Sequence, residues 1–372
     1  MRQSARRGPA TVAGVSLRDE ILEQPDAVRR QLSSSAAALE GVAARLREAP
    51  VDSVVIAARG TSDHAAIYAQ YLLGAVDRLA VGLATPSLVS LYGVEPRFER
   101  SLVIGISQSG ASPDVVGVLA AARRQGAPTL AITNEPASAL GSTAEFVIDL
   151  AAGSEQAVAA TKTYTTSLLA IARLAISVGP RGSSTPSSFD AADLAASLAN
   201  VPSWIAAALD VEPAVRALAA ELAPAPGAFG GCVIVGRGFE YATAREWALK
   251  LKELARVFAD PYSAADFLHG PIALVQPGIP VLVLAPDGAA APGQIDLLRD
   301  LKTRKIDTLV VSDNAATREL GRWSIELPAG IPEPLRPIVS IVPAQLFAYH
   351  VTLARGLDPD EPRYLSKVTR TT

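Results

Sequence analysis

Two turns rich in hydroxyl side chains are the first features of this sequence that could bind a ligand. Residues 107–112 (Ser-Gln-Ser-Gly-Ala-Ser) precede a predicted helix beginning at Pro113, and residues 60–63 (Gly-Thr-Ser-Asp) form a second such turn. Hydroxyls and free backbone N–H groups at a helix N-terminus favour an anion, so the turn at 107–112 indicates a phosphate-monoester site that uses no lysine. Either turn alone is also consistent with an ordinary serine-rich turn, and neither is a dinucleotide fingerprint or a P-loop.

A second group of residues could transfer protons. Residues 240–258 are predicted to form a helix, and spacings of four and three residues place Glu246, Lys250 and Glu253 on one face of it. A solvated Glu–Lys surface pair is the ordinary interpretation of such a face. However, His269 follows shortly afterwards, within a predicted loop and directly before a Gly-Pro pair. A carboxylate, an amine and an imidazole together suffice to open a sugar ring and to move a proton between adjacent carbons.

The C-terminal segment supplies one more candidate. A charged tail is usually solvated, but Leu365 and Val368 would allow this one to dock across a cleft and present Lys367. A desolvated lysine can lose its proton and attack a carbonyl carbon as a Schiff-base nucleophile.

The elements that must position these residues follow from hydrophobic patterning. Short Val-, Ile- and Leu-rich runs alternate with alanine-rich helical segments, which is typical of a parallel sheet covered by helices on both faces. In the first half the predicted strands are 53–57, 79–83, 102–106, 129–132 and 146–150, and the predicted helices are 64–76, 113–125 and 158–177. Both hydroxyl-rich turns follow strands, and ligands of open parallel sheets bind beyond the carboxyl ends of strands.

The second half of the chain repeats the first. Gly60 and Gly110 have counterparts at Gly238 and Gly288, and each pair is separated by 178 residues. A constant separation predicts an α/β fold of two tandem doubly wound domains. The predicted boundaries are a flexible extension at 1–18, a first domain at 19–178, a Gly/Pro/Ser-rich linker at 179–195, a second domain at 196–356 and a tail at 357–372 that closes the site.

Composition excludes several classes of function. The chain has 372 residues and a net charge of −3. This charge is too close to zero to produce an electrostatic field over the whole protein that would attract a nucleic acid or a membrane. Cys232, the single cysteine, lies in an apolar run and is predicted to be a buried thiol, and three histidines without ligand spacing favour metal-free and cofactor-free chemistry. We expect a cytoplasmic protein without a membrane span.

Six short motifs, taken in order, resemble the sugar isomerase (SIS) domain family, and in particular the isomerase half of the glutamine–fructose-6-phosphate aminotransferases. They are Gly-Thr-Ser at 60–62, Ser-Gln-Ser-Gly at 107–110, and the segments 158–165, 248–253, 269–271 and 362–367. The resemblance runs from about residue 19 to the end of the chain. It implies flavodoxin-like SIS domains, a homodimer, and fructose 6-phosphate or glucosamine 6-phosphate at the carboxyl edge of the first sheet.

The resemblance also implies a role for each candidate residue. Glu253 would be the base that moves a proton between C1 and C2, Lys250 would assist at the sugar oxygens, and Lys367 would be the Schiff-base candidate. His269 would open the sugar ring in the active site of the neighbouring subunit. Substrate and phosphate binding would involve Thr61, Ser62, Ser107, Gln108, Ser109, Ser112, Val158 and Ser366.

The same resemblance suggests the reaction. The aminotransferases carry an N-terminal glutaminase domain with a nucleophilic cysteine, whereas this chain begins at the isomerase, so we expect no use of glutamine. Stand-alone SIS pairs of this type resemble glucosamine-6-phosphate deaminases, which convert glucosamine 6-phosphate and water to fructose 6-phosphate and ammonia. A fructosamine-6-phosphate deglycase or another aldose–ketose isomerase is the alternative, and a non-catalytic sugar-phosphate sensor is the second alternative.

Three departures from the family pattern bear on which substrate is used. Arg59 stands where the family has cysteine, Ala160 where it has serine, and residues 265–268 (Ala-Asp-Phe-Leu) where it has Gly-Glu-Leu-Lys. These positions are expected close to the sugar, so the resemblance predicts phosphate binding more firmly than it predicts the sugar or the amine.

Overall fold

The computed structural model describes residues 16–179, 189–225, 228 and 230–367. These residues form two parallel sheets of five strands each. The first sheet contains β1 (Ser53–Ala57), β2 (Ala80–Leu83), β3 (Ser101–Ile106), β4 (Thr129–Thr133) and β5 (Phe146–Asp149). The second contains β6 (Gly231–Gly236), β7 (Phe258–Ser263), β8 (Val281–Leu284), β9 (Thr308–Ser312) and β10 (Trp323–Glu326).

The two sheets have the same topology. The first runs β2-β1-β3-β4-β5 and the second, from its other edge, β7-β6-β8-β9-β10, so both follow the flavodoxin-like order 2-1-3-4-5. The predicted fold class of two tandem doubly wound parallel-sheet domains is therefore confirmed.

Helices cover both faces of each sheet. The helices of the first half are α1 (Leu17–Leu22), α2 (Gln24–Leu32), α3 (Ala36–Glu48), α4 (Thr61–Asp77), α5 (Ser87–Ser90), α6 (Pro113–Arg124), α7 (Ala139–Thr143) and α8 (Lys162–Val178). Those of the second half are α9 (Ala191–Ser197), α10 (Val201–Leu209), α11 (Glu212–Leu222), α12 (Glu240–Glu253), α13 (Ala264–Leu268), α14 (Ala291–Thr303), α15 (Ala315–Arg318) and α16 (Pro337–Ala354).

Alternation along the strands divides the core into an inner and two outer clusters. In β3, Ile104 faces a large cluster shared by both domains, whereas Val103 faces a smaller cluster with Leu119 of α6. In β8, Leu282 likewise joins the shared cluster and Val283 packs with Leu298 of α14. The shared cluster therefore joins the inner faces of the two sheets, which fixes the second domain against the first.

Two helical stretches are long and apolar enough to span a membrane by length and composition. They are Ala191–Leu209 and Glu333–Ala354, and 83% of the tested window of the latter is buried inside the protein, as in the core helix of a soluble protein. Two such stretches are weak evidence for a membrane protein. Cys232 is buried as predicted, and burial raises the pKa of its thiol to about 12.

Several predicted bounds differ from the structure. The helix predicted over 240–258 ends at Glu253, because residues 258–263 form β7 and pair with β6. The helix predicted from residue 158 begins at Lys162, four residues later. Edge strands tolerate proline, and β7 is an edge strand that contains Pro261, which explains why the hydrophobic pattern missed it.

The predicted domain boundaries fall near, but not at, the ends of elements. The extension at 1–18 overlaps α1, and its residues 1–15 lie outside the described residues. The linker at 179–195 overlaps α9, whose first turn is capped by the side chain of Asp190, while residues 180–188 also lie outside the described residues. Of the predicted tail, residues 368–372, including Val368, are not described.

Candidate active site

A cavity of about 350 Å³ lies at the carboxyl edge of the first sheet. Its walls come from both hydroxyl-rich turns, the start of α8, the end of α12 and the C-terminal tail. The lining residues are Arg59, Gly60, Thr61, Ser62, Gln108, Ser109, Ser112, Val158, Ala160, Thr163, Tyr164, Ser167, Lys250, Glu253, Leu365, Ser366 and Lys367. Five separate segments of the chain therefore meet at one edge of the sheet.

The turn between β3 and α6 presents its donors to this cavity. Ser112 is the N-cap residue of α6, with extended backbone angles, and its hydroxyl makes no capping hydrogen bond. Gly110 has a φ of 58°, and a Cβ there would lie 1.9 Å from the hydroxyl of Ser138, so only glycine fits. The hydroxyl of Ser112 is thus free to bind an anion. Within the first turn of α6, the N–H of Val115 already donates to Oδ1 of Asp114 at 2.9 Å.

The turn between β1 and α4 ties the cavity to the second domain. Gly60, with φ 54° and ψ −129°, lets the chain turn directly from strand to helix. The hydroxyl of Thr61 donates to Oε1 of Glu246 at 3.0 Å and accepts from Nζ of Lys250 at 3.3 Å. Thr61 therefore positions the two charged residues of α12 as well as lining the cavity.

Glu246 and Lys250 form the centre of a buried charged network. Glu246 accepts from Thr61, lies 2.7 Å from Nδ1 of His64 and lies 3.3 Å from Nζ of Lys250. Nζ of Lys250 donates to Oε2 of Glu253 at 2.6 Å. The side chain of Lys250 is 1% exposed, whereas that of Glu253 is 23% exposed. The network holds the Glu253 carboxylate at the end of α12, facing the cavity.

The protonation states follow from these contacts. Burial would lower the pKa of Lys250, but the charges of Glu246 and Glu253 outweigh burial and raise that pKa above its ordinary value. Burial would likewise raise the pKa of Glu246, but the charge of Lys250 and the hydrogen bond from His64 bring it below its ordinary value. Lys250 is consequently a cation, and Glu246 an anion, at neutral pH.

The tail crosses the cavity and is anchored by a second ion pair. Nζ of Lys367 donates to Oε2 of Glu155 at 2.6 Å and to the carbonyl of Ala157 at 2.7 Å. Glu155 is buried and also accepts from the backbone N–H groups of Thr161 and Thr163, at 3.0 and 3.1 Å. Lys367 therefore forms an ion pair with Glu155 while a quarter of its side chain stays exposed, and its role as a Schiff-base nucleophile stays a prediction.

Comparison with known proteins agrees with this geometry. The sequence profile described as the SIS domain matches residues 48–177 and 232–355, which coincide with the two sheets. The chain belongs to the SIS family. The strand order and the repeat are thus those of two SIS domains in tandem.

Relatives of the SIS pair are found among sequences and solved structures. The glutamine–fructose-6-phosphate aminotransferase (isomerizing) of Pyrococcus horikoshii is 33% identical over 94% of this chain and 56% of its own length, so the chain spans little more than half of that relative. A protein of Silicibacter pomeroyi described as a phosphosugar isomerase has a TM-score of 0.80 at 34% identity, over 92% of this chain and 99% of the other. The C-terminal domain of glucosamine-fructose-6-phosphate aminotransferase from Francisella tularensis has a TM-score of 0.82 at 26% identity, over 95% and 100%.

The SIS cavity brings together ten of the twelve residues singled out from the sequence. They are Thr61, Ser62, Gln108, Ser109, Ser112, Val158, Lys250, Glu253, Ser366 and Lys367. Ser107 does not line the cavity; its hydroxyl accepts from the N–H of Gly110 at 3.2 Å and shapes the turn. His269 is exposed, at the end of α13, and lies outside the cavity of its own chain.

Other lining residues were not singled out as site residues. Thr163 and Ser167 lie one turn apart on α8, and their side chains line the cavity beside Tyr164. Their only sequence signal is that Thr163 falls within the family motif at 158–165. Glu155, the partner of Lys367, had no signal at all, because an ion pair between residues 212 positions apart leaves no local pattern.

Proposed function

We propose that this SIS protein is an aminosugar-phosphate deaminase and isomerase that converts glucosamine 6-phosphate and water to fructose 6-phosphate and ammonia. The observation that carries the proposal is one cavity in which an anion-binding turn faces a carboxylate and a charged lysine. Its volume of about 350 Å³ is within the range of small-molecule sites. The identity to aminotransferase and phosphosugar isomerase relatives supports the same class of substrate.

In this proposal the phosphate binds at the N-terminus of α6. Gln108, Ser109 and Ser112 present polar groups there, and Ser62 presents a hydroxyl from the neighbouring turn. The positive end of the helix dipole adds to these hydrogen bonds. The other end of the sugar then points toward Glu253 and Lys250, which are contributed by α12.

The chemistry proposed for Glu253 is proton transfer between C2 and C1. After ring opening the substrate is an aldehyde at C1 with an amine at C2. Glu253 removes the C2 proton and Lys250 stabilises the negative charge that develops on O1. Return of that proton to C1, together with transfer of one N–H proton to O1, leaves a hydroxymethyl group at C1 and an imine at C2. Water adds to that imine carbon, and the carbon–nitrogen bond breaks to give the ketose and ammonia.

We propose two roles for Lys367, and its ion pair with Glu155 takes part in each of them. As a cation it fastens the tail over the cavity through Glu155. As a Schiff-base nucleophile it must first lose a proton, and the Glu155 carboxylate at 2.6 Å is the group that could accept it. Ser366 and Leu365 line the cavity next to it, so movement of Lys367 would also move the tail.

We propose a homodimer in which His269 opens the sugar ring in the partner's active site. Two observations support this proposal. His269 is exposed and lies outside the cavity of its own chain, and among the described residues no histidine lines that cavity. The neighbouring Leu268 and Leu274 are more than half exposed, as apolar residues of an interface would be in an isolated chain. The cytoplasm is the proposed location.

The test is a product assay with separate detection of each product. The protein is incubated with glucosamine 6-phosphate and, in parallel, with a fructosamine 6-phosphate carrying lysine, and ammonia, free amino acid and ketose phosphate are measured. We expect ammonia and fructose 6-phosphate from the first substrate, and loss of about 100-fold or more in kcat for Glu253→Gln. The exposed Glu319 provides the matched control Glu319→Gln.

Each outcome decides between the candidate functions. Amino-acid release from the second substrate, without ammonia from the first, would support the deglycase instead. Binding of sugar phosphates without turnover of either would support the sensor. For the dimer, a mixture of the Glu253→Gln and His269→Asn variants should regain activity that neither has alone, because mixed dimers contain one intact site; no gain would contradict the role in trans.

A further inference from the structure

Arg59 is a departure from the family pattern that lines the candidate active site and carries a charge. It follows β1, two residues before the start of α4, and its side chain lines the cavity with 49% exposure. Its Nε donates to Oδ2 of Asp114 at 2.7 Å, and the Asp114 side chain is only 1% exposed. The pair is therefore unlike a surface salt bridge, because a buried carboxylate holds one edge of the guanidinium in place.

The position of Asp114 places this guanidinium beside the proposed phosphate. Asp114 is the second residue of α6, two residues after the N-cap Ser112. Arg59 thus reaches from the end of β1 to the first turn of α6, directly after the 107–112 turn. Both Ser112 and Arg59 line the cavity, so an anion bound at this turn shares the cavity with the guanidinium.

Arg59 also retains hydrogen-bond donors. A guanidinium carries five N–H groups, and within the described part of the chain the Arg59 guanidinium makes only the bond from Nε to Asp114. The other cations of the cavity are engaged more completely: Lys250 with Glu246 and Glu253, and Lys367 with Glu155. The two Nη groups of Arg59 can therefore offer the parallel pair of donors that suits a phosphate oxygen pair.

We infer that Arg59 is a specificity-determining residue that binds the 6-phosphate of the substrate through its two Nη groups, with Asp114 fixing the orientation of the guanidinium. The inference rests on the proposed function, because it takes the ligand to be a phosphosugar. It alters the view of the phosphate site as one built from hydroxyls and a helix N-terminus alone. A sugar without the phosphate would leave the two Nη groups without an acceptor. The site would therefore favour phosphorylated sugars.

The experiment is a titration of the full-length protein with fructose 6-phosphate, measured by calorimetry. The variants are Arg59→Lys, which keeps a positive charge opposite Asp114 and so preserves the fold, and Arg59→Gln. The matched control is Arg237→Lys, because Arg237 is the exposed counterpart of Arg59, 178 residues further on, at the edge of the second sheet. We expect both Arg59 variants to bind about tenfold more weakly or worse, and the control to bind like the wild type.

Steady-state kinetics provide the second readout. Loss of a phosphate contact raises KM and leaves kcat nearly unchanged, whereas a displaced α6 or α12 would lower kcat as well. The substrates are glucosamine 6-phosphate and a fructosamine 6-phosphate that carries an amino acid, which share the phosphate and differ in the carboxylate. We expect KM to rise by the same factor for both.

Three results would overturn the inference. Equal affinity of the wild type and both Arg59 variants would exclude a phosphate contact while leaving the proposed function intact. A higher KM only for the substrate with the carboxylate would assign Arg59 to the amino-acid substituent instead. Failure of the wild type to bind any sugar phosphate would overturn the proposed function, and the role of Arg59 with it.

Discussion

The two sheets have the same topology, but a large cavity lies at the carboxyl edge of only the first among the described residues. The first edge surrounds a cavity of about 350 Å³, whereas the space at the second is about 10 Å³. Both edges have a strand-to-helix turn with a glycine at positive φ, Gly110 in the first and Gly288 in the second. Both turns therefore share this backbone feature, and the side chains around them differ.

At the second edge the chain supplies its own anion. The carboxylate of Glu333 accepts from the N–H of Ala289 at 3.0 Å, at the N-terminal end of α14. It lies so close to Gly288 that a Cβ there would be 2.6 Å from its Cδ. The turn at 285–290 (Ala-Pro-Asp-Gly-Ala-Ala) also has none of the hydroxyls of the 107–112 turn. The second edge thus binds a carboxylate from a distant segment, that of Glu333. At the first edge a carboxylate of the helix itself, that of Asp114, accepts from the N–H of Val115 at 2.9 Å, and the cavity stays open.

The largest effect is expected when the first edge is made to resemble the second. Ser109→Glu would place a carboxylate where the phosphate is proposed to bind, and like charges about 4 Å apart repel by about 4 kcal/mol at an effective dielectric constant of about 20. Affinity for fructose 6-phosphate should fall roughly a thousandfold in calorimetric titration. Ser90→Glu, at an exposed position of the same domain, adds the same charge and should bind normally. Unchanged binding by Ser109→Glu would place the phosphate elsewhere.

The difference between the edges also shows what the sequence could predict. Strand β3 and the hydroxyl turn after it are local patterns, and the structure has both at the predicted place. Lys250 and Glu253 were predicted to share a helix face because their spacing is also local. Arg59–Asp114, Lys367–Glu155 and the insertion of Glu333 are contacts between distant segments, so no periodicity in the sequence reports them.

The next largest effect concerns the network that joins the second domain to the first edge. Glu246→Gln would leave Lys250 buried with Glu253 as its remaining partner and would weaken the contacts to Thr61 and His64. Breaking a buried ion pair typically costs about 3 kcal/mol or more, so denaturant unfolding should show a loss of that order. The exposed Glu319→Gln should change stability little. A loss no larger than that of the control would mean that the network is not a structural anchor.

A smaller effect is expected when the second edge is made to resemble the first. Glu333→Ala removes the acceptor from the N–H of Ala289, which should cost about 1–2 kcal/mol. The uncovered helix N-terminus should then bind inorganic phosphate weakly, so phosphate should raise the melting temperature of this variant more than that of the wild type. The wild type reports binding at the first edge alone. An equal rise in both proteins would mean that Glu333 does not occupy an anion site.

The smallest effect is a difference in pH dependence between two glutamates of α12, one near each edge. Glu246 has a lowered pKa, so its contribution to stability is present above its ordinary value of 4.5 and is lost as the pH falls through the folded-state value. Glu240 lines the space at the second edge, and burial raises its pKa despite the hydrogen bond from Ser340 and the charge of Arg336. The folded protein keeps the Glu240 proton at a pH where the unfolded chain has lost it, so stability falls as the pH rises from 4.5 through the raised value.

Glu240→Gln tests this opposite trend directly. Glutamine keeps the shape and can still accept from Ser340, but it cannot ionise in either state. The melting temperature of the variant minus that of the wild type should therefore become more positive between about pH 4 and about pH 7. Glu246→Gln should show the reverse, a difference that becomes more negative over the same range, because the wild type gains the ionised Glu246 as the pH rises. Parallel curves for the two variants would contradict the contrast between a carboxyl group with a lowered pKa at the open edge and one with a raised pKa at the closed edge.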